Sequence, residues 1–101
     1  MPLNNPSFSK TLTSSETIPY SIPSSTTSLQ FLEANPSRIG ATIWNNSANV
    51  LYLDLSEAAS PTSYTVKILS DGYYELPFNY TGKVCGTWET VDGGALVREF
   101  I

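Results

Sequence analysis

The chain reads as all-β: a compact antiparallel β-sandwich or small barrel of about seven strands, preceded by an extended N-terminal arm. Three observations predict this. Beyond residue 28, short runs with apolar residues at alternate positions recur about every ten residues, separated by clusters of Asn, Asp, Gly, Pro and Ser. No stretch sustains a 3.6-residue period, and the best helical window, Thr27–Ala34, has room for about two turns. Charged residues make up only 14% of the chain, with Ser, Thr and Asn in their place, which suits strands and turns better than surface helices.

Residues 1–27 read as the arm. Pro2, Pro6, Pro19 and Pro23 disfavour helix, as do the many Ser and Thr side chains that compete for backbone hydrogen bonds. A purely solvated tail carries few apolar groups, yet Leu3, Phe8, Leu12, Ile18, Tyr20 and Ile22 recur along this one. The arm is therefore expected to dock, on its own domain or on a neighbouring subunit. Phe8, Leu12, Ile18, Tyr20 and Ile22 are the candidate partner-binding residues.

The strands of the domain, residues 28–101, follow in order. Ser28–Leu32 is a first strand, closed by Asn35-Pro36-Ser37. Arg38–Trp44 alternates, with Ile39, Ala41 and Ile43 on one face; Asn45–Asn49 is a turn; in Val50–Leu55, Leu51, Leu53 and Leu55 face inward and Tyr52 and Asp54 outward. These two runs are expected to form a hairpin. Ser56–Ser63 is a loop that Pro61 keeps out of any ladder. Tyr64–Leu69 is expected to pair with Tyr73–Leu76 across Ser70-Asp71-Gly72. Asn79–Gly82 is a turn, Lys83–Glu89 puts Val84, Gly86 and Trp88 on one face, and Asp92-Gly93-Gly94 is read as a hairpin turn into Ala95–Ile101.

Composition excludes several function classes. The formal net charge is −4 and the five basic residues, Lys10, Arg38, Lys67, Lys83 and Arg98, are scattered, so the basic patch that nucleic acid requires is missing. A chain of 101 residues suits one domain, and no apolar run approaches membrane-spanning length. The N-terminus lacks a signal-peptide pattern, so Asn45-Asn46-Ser47 and Asn79-Tyr80-Thr81 are read as turns rather than glycosylation sites. Cys85 is the only cysteine and reads as a small buried hydrophobe; there is no histidine.

Catalytic patterns are equally thin. Asp54 with Glu57, or Glu75 with Glu89, are the best carboxylate pairs, and each sits more naturally on a strand face or in a turn. Asp71-Gly72 and Asp92-Gly93 are turn chemistry rather than a calcium loop. No serine has a histidine or lysine partner, and no phosphate loop occurs. No enzyme activity, metal or cofactor is expected. The aromatics Trp44, Tyr52, Tyr64, Tyr73, Tyr74, Phe78, Tyr80 and Trp88 fit core packing first, then a protein interface, then a sugar-stacking face.

Within Arg38–Glu99 a recognisable order of residues appears: Arg38, Gly40, Ile43, Asn45 and Ser47, then Leu51–Leu53, Tyr64–Ile68, Tyr73–Phe78, Tyr80–Gly82, Gly86, Trp88 and Gly94–Val97. This order resembles a family of small β-rich virion structural proteins of tailed bacteriophages, and Tyr73–Phe78 with Tyr80–Gly82 is its most specific block. The chain departs from the family pattern at Cys85 and at Phe100-Ile101, and the arm lies outside the matching block. The resemblance implies a non-enzymatic particle component assembled in the host cytoplasm and located in the virion. The leading expectation is a capsid decoration (cement) protein that binds the major capsid protein and itself, as a dimer or trimer. A neck, tail or baseplate protein, and a carbohydrate-binding module for host attachment, are the alternatives.

Overall fold

A computed structural model describes residues 13–101. Among the described residues there are eight strands and no helix: β1 (Thr17–Pro23), β2 (Leu29–Leu32), β3 (Gly40–Asn46), β4 (Leu51–Asp54), β5 (Val66–Ile68), β6 (Tyr73–Glu75), β7 (Val84–Trp88) and β8 (Gly94–Phe100). They form two four-stranded sheets, sheet A in the order β1-β8-β3-β6 and sheet B in the order β2-β7-β4-β5, with every pairing antiparallel. The all-β sandwich is thus observed, with one strand more than the seven read from the sequence. The strand order is that of an eight-stranded jelly roll, a double Greek key closed into two packed sheets.

The connectivity corrects three pairings. β4 and β5 are the only consecutive strands that pair with each other; all other connections cross from one sheet to the other. Hence β3 and β4 are not a hairpin, β5 does not pair with β6, and the turn at Asp92-Gly93-Gly94 joins β7 of sheet B to β8 of sheet A. The reason is shared turn chemistry. Asn, Asp and Gly reverse a chain equally well within a sheet and between two sheets.

The additional strand lies within the region read as an arm. β1 pairs with β8 along its whole length, from Thr17↔Phe100 to Pro23↔Gly94. Glu16 and Ile101 exchange backbone hydrogen bonds, and Ser24 N–H reaches the Gly93 carbonyl. The alternation of an antiparallel ladder then turns the N–H groups of Ile18, Tyr20 and Ile22 toward β8. Pro19 and Pro23 occupy positions whose N–H would point away from the sheet, so an edge strand tolerates both.

The core lies between the sheets. Ala41, Ile43, Ala95 and Val97 face it from sheet A; Phe31, Leu32, Leu51, Leu53, Ile68, Val84 and Trp88 face it from sheet B. A register shift between Gln30 and Leu32 is a β-bulge that lets the adjacent Phe31 and Leu32 both turn inward. At the centre of sheet B all five residues of β7 are buried. Gly86 there leaves room for the Phe31 ring, which sits 5.7 Å from the Trp88 ring.

Two buried polar clusters tie the connections together, one at each end of the sandwich. At the first end Asn45, fully buried, donates from its amide nitrogen to the carbonyls of Asn49, Ile68 and Leu69. Its side-chain oxygen accepts from Ser47 Oγ and from Trp88 Nε1. At the opposite end Arg38, 1% exposed, pairs with Glu99 at 2.8 Å. Its guanidinium also donates to the carbonyls of Gly82 (2.8 Å), Tyr80 (3.2 Å) and Glu33. Neither Asn45 nor Arg38 is the exposed turn or surface residue that a polar side chain in a small domain suggests.

Candidate interaction surface

The two sheets differ on their outer faces. Sheet B is covered by the loop between β4 and β5 together with the segment before β2. Tyr52 packs against Tyr64 in a tilted arrangement with ring centroids 5.1 Å apart, and Cys85 Sγ donates to the Glu57 carbonyl. Ala59 N–H bonds Ser28 Oγ, and Lys83 pairs with Glu57. Burial pushes the Cys85 thiol up, and the hydrogen bond to Glu57 raises Lys83. Cys85 is buried, as the sequence suggests, and its raised pKa is the opposite of what a reactive thiol needs.

Among the described residues sheet A has no such cover. Residues directly opposite one another on neighbouring strands share a face, so its outer face can be read as rows. One row runs Ser21–Leu96–Trp44–Tyr73 across β1, β8, β3 and β6; the next runs Pro19–Arg98–Thr42–Glu75. Leu96, Trp44 and Tyr73 are 50%, 45% and 54% exposed, an unusual density of large apolar groups in one row of a small sheet. They line an open groove of about 750 Å³ that extends toward Tyr20 and Phe100. The Tyr73 hydroxyl donates to Glu75 at 2.8 Å, and that hydrogen bond raises the phenol's pKa above its ordinary value.

A second exposed apolar group lies in the turn between β6 and β7, at the Arg38 end. Tyr80 N–H closes the turn on the Pro77 carbonyl at 3.0 Å, and both central residues, Phe78 and Asn79, have positive φ (53° and 59°). That is the signature of a type I′ turn, in which Asn is at home and Phe is not. The Phe78 side chain is 98% exposed. Below it the turn is fixed. Arg38 holds the Tyr80 and Gly82 carbonyls, and the Tyr80 hydroxyl folds back onto the Lys83 carbonyl across Gly82, where a Cβ would collide with the phenol.

Of the five candidate partner-binding residues, Phe8 and Leu12 lie outside the described residues. Ile18, Tyr20 and Ile22 are on the inward side of β1 and are directed at the chain's own sandwich. Ile22 packs against the core, Ile18 is half-buried opposite Glu99, and the Tyr20 hydroxyl donates to Glu99 Oε1 at 3.2 Å. Burial, then the neighbouring Glu99 charge, raises the Tyr20 phenol.

The two tryptophans have opposite environments. Trp88 is buried and bonded to Asn45, whereas Trp44 stands on the bare face. Among the described residues no group of three or more His, Cys, Asp or Glu side chains could hold a metal ion, and no helix is long and apolar enough to cross a membrane. Neither the exposed row nor Phe78 stands out from the sequence alone, although Trp44 already has the opposite parity to Ala41 and Ile43 along its strand. No family model, curated protein or solved structure matches the chain.

Proposed function

We propose that the chain is a non-enzymatic structural protein of a phage virion, a capsid decoration protein that clamps neighbouring subunits of the major capsid protein. The observation that carries a contact function is Phe78. A fully exposed phenyl in a left-handed turn contributes nothing to its own fold and costs it about 1 kcal/mol of backbone strain. Such a side chain makes physical sense as an anchor for a hydrophobic pocket elsewhere, presented on a base that Arg38 makes rigid. The same residue closes Tyr73–Phe78, the most specific block of the resemblance to phage virion proteins. Jelly rolls recur in viral capsid domains and also in lectins, so the fold supports the reading by analogy only. Many identical copies would give avidity from modest single contacts.

The test is the Phe78→Gly variant, mixed with shells of the phage that encodes the chain and co-sedimented. Glycine relieves the positive φ, so the variant's melting temperature should equal or exceed the parent's while its shell binding is lost. Unchanged binding by this variant would overturn the assignment of Phe78. Copy number decides the position on the particle: hundreds fit a shell protein, and a few dozen would move the chain to neck, tail or baseplate.

A further inference from the structure

We infer that the outer face of sheet A is self-complementary and packs against the same face of a second copy about a two-fold axis running along β3. The inference rests on the rows of that face and is independent of the virion reading. β3 carries Trp44 and Thr42 outward. On its β8 side stand Leu96 and Arg98; on its β6 side, at the same heights, stand Tyr73 and Glu75. The pattern is therefore apolar opposite apolar and cation opposite anion, mirrored across one strand.

A two-fold axis parallel to β3 and midway between two stacked faces exchanges those sides. Trp44 then meets Trp44 of the second copy, Leu96 meets its Tyr73, and Arg98 meets its Glu75, each charged contact occurring twice as isologous packing requires. The dimensions fit. Neighbouring strands are about 4.8 Å apart and packed sheets about 10 Å apart, with strand directions within about 30°. The charges are available: among the described residues neither Arg98 nor Glu75 takes part in a salt bridge. The Tyr73 hydroxyl steadies the Glu75 carboxylate on this face. β1 falls outside the overlap, and the Phe78 turn is at the end of the sandwich, so a dimer leaves both free.

The test is sedimentation velocity and light scattering on the full chain over a dilution series, with Arg98→Glu, Glu75→Arg and the double exchange. The parent should dimerise. Each single reversal turns two attractions into two repulsions and should raise the dimer dissociation constant roughly tenfold or more. The double exchange should return it close to the parent's. General charge repulsion predicts otherwise, since one reversal makes the acidic chain more negative and the other less so. Both side chains are exposed, and equal melting temperatures and circular dichroism confirm that the variants fold. A dimer indifferent to both reversals, or an exchange no better than the singles, overturns the proposed register. A chain that stays monomeric overturns the proposal altogether; if its Trp44 fluorescence then responds to oligosaccharides, the face is a glycan platform.

Discussion

Replacing Arg38 by Met tests what holds the β6–β7 turn and the open end of the sandwich. Arg38 is buried and supplies hydrogen bonds to four acceptors: Glu99 Oε2 at 2.8 Å and the carbonyls of Gly82, Tyr80 and Glu33. Methionine keeps the unbranched apolar stem but is shorter and has no donor. It leaves the Glu99 carboxylate, whose side chain is 4% exposed, with the Tyr20 hydroxyl at 3.2 Å and the Asn35 amide at 3.5 Å as its remaining partners. Breaking a buried pair from one side costs about 3–5 kcal/mol. The three carbonyls add about 1 kcal/mol together, because carbonyls tolerate poor pairing better than N–H groups and water can enter. The loss is about 5 kcal/mol, close to the whole stability of a marginal domain.

Urea titration followed by tryptophan fluorescence measures it, since the buried Trp88 reports the core. Two companions apportion the effect. Arg38→Lys keeps the charge and loses the fork, and should fall between parent and Arg38→Met. The Arg38→Met/Glu99→Leu double variant no longer buries a lone charge and should recover most of the pair penalty, retaining a deficit of about 1–2 kcal/mol from the carbonyls and the Tyr20 hydroxyl. An Arg38→Met variant within about 1 kcal/mol of the parent, or a double variant no more stable than the single, would refute the assignment of the cluster as the clasp of this end.

Three further outcomes follow from other parts of the fold. Gly86→Ala places a methyl 2.6 Å from Phe31 Cζ and 3.1 Å from Leu51 Cδ1, so it should cost about 1–3 kcal/mol in chemical denaturation; a neutral result would show that Phe31 swings aside freely. Removing residues 1–27 strips β1 from β8 and takes away Ile22 packing and the Tyr20–Glu99 bond, a loss of about 3 kcal/mol read as a lower melting temperature and a tendency to aggregate through the bared edge; a fragment that melts with the parent would refute the role given to β1. Tyr20, Tyr52, Tyr74 and Tyr80 are raised above the ordinary value of 10 chiefly by burial, and Tyr73 by its bond to Glu75. Folding favours their neutral forms, so this stability is fully present below pH 10 and is lost as pH rises through the folded values. The buried Cys85 thiol, raised from its ordinary value of 9.0, acts in the same direction. Melting curves should therefore begin to fall above pH 9 and fall more steeply beyond pH 10, and phenolate absorbance should develop at higher pH in the folded chain than in urea.

Strand positions were legible because period-two patterning depends only on one face being buried. Ala41 and Ile43, Leu51 and Leu53, Val84 and Trp88 all point where alternation puts them. Pairing was not legible, because it depends on which sheet a strand returns to. The turns at Asp71-Gly72 and Gly93 carry the same residues that a hairpin would, and their positive φ values serve crossings between sheets instead. β1 was hidden by its prolines, which count against a strand until the register shows both on the unpaired side. The bare row was hidden for a similar reason. Trp44 and Leu96 look like core by residue type, and only the pairing Trp44↔Leu96, with both facing out, brings them together with Tyr73.

That same register limits how the chain can meet a partner. A sandwich can associate through an edge, by adding a strand, or through a face. The β1 edge is poorly suited to strand addition. Of the four N–H positions on its open side only Thr17 and Ser21 have an N–H to offer, because the other two are Pro19 and Pro23. The edges at β5 and β6 are three residues long, and the edge at β2 is four residues interrupted by its register shift, all too short or irregular to template a stable ladder. The outer face of sheet B is covered by the chain's own loop. Among the described residues Tyr20, Tyr64, Leu69 and Val91 are exposed as well, but Tyr73, Trp44 and Leu96 share one row of one sheet face and Phe78 is the most exposed large apolar side chain. The row and the Phe78 turn lie apart, one on a face and one at an end. A protein that must join both its own copies and a larger assembly needs two separate contacts. The proposed self-association and the proposed shell contact would use one surface each, and the alternating prolines of β1 are part of how the sequence keeps strand addition at its edge from competing with them.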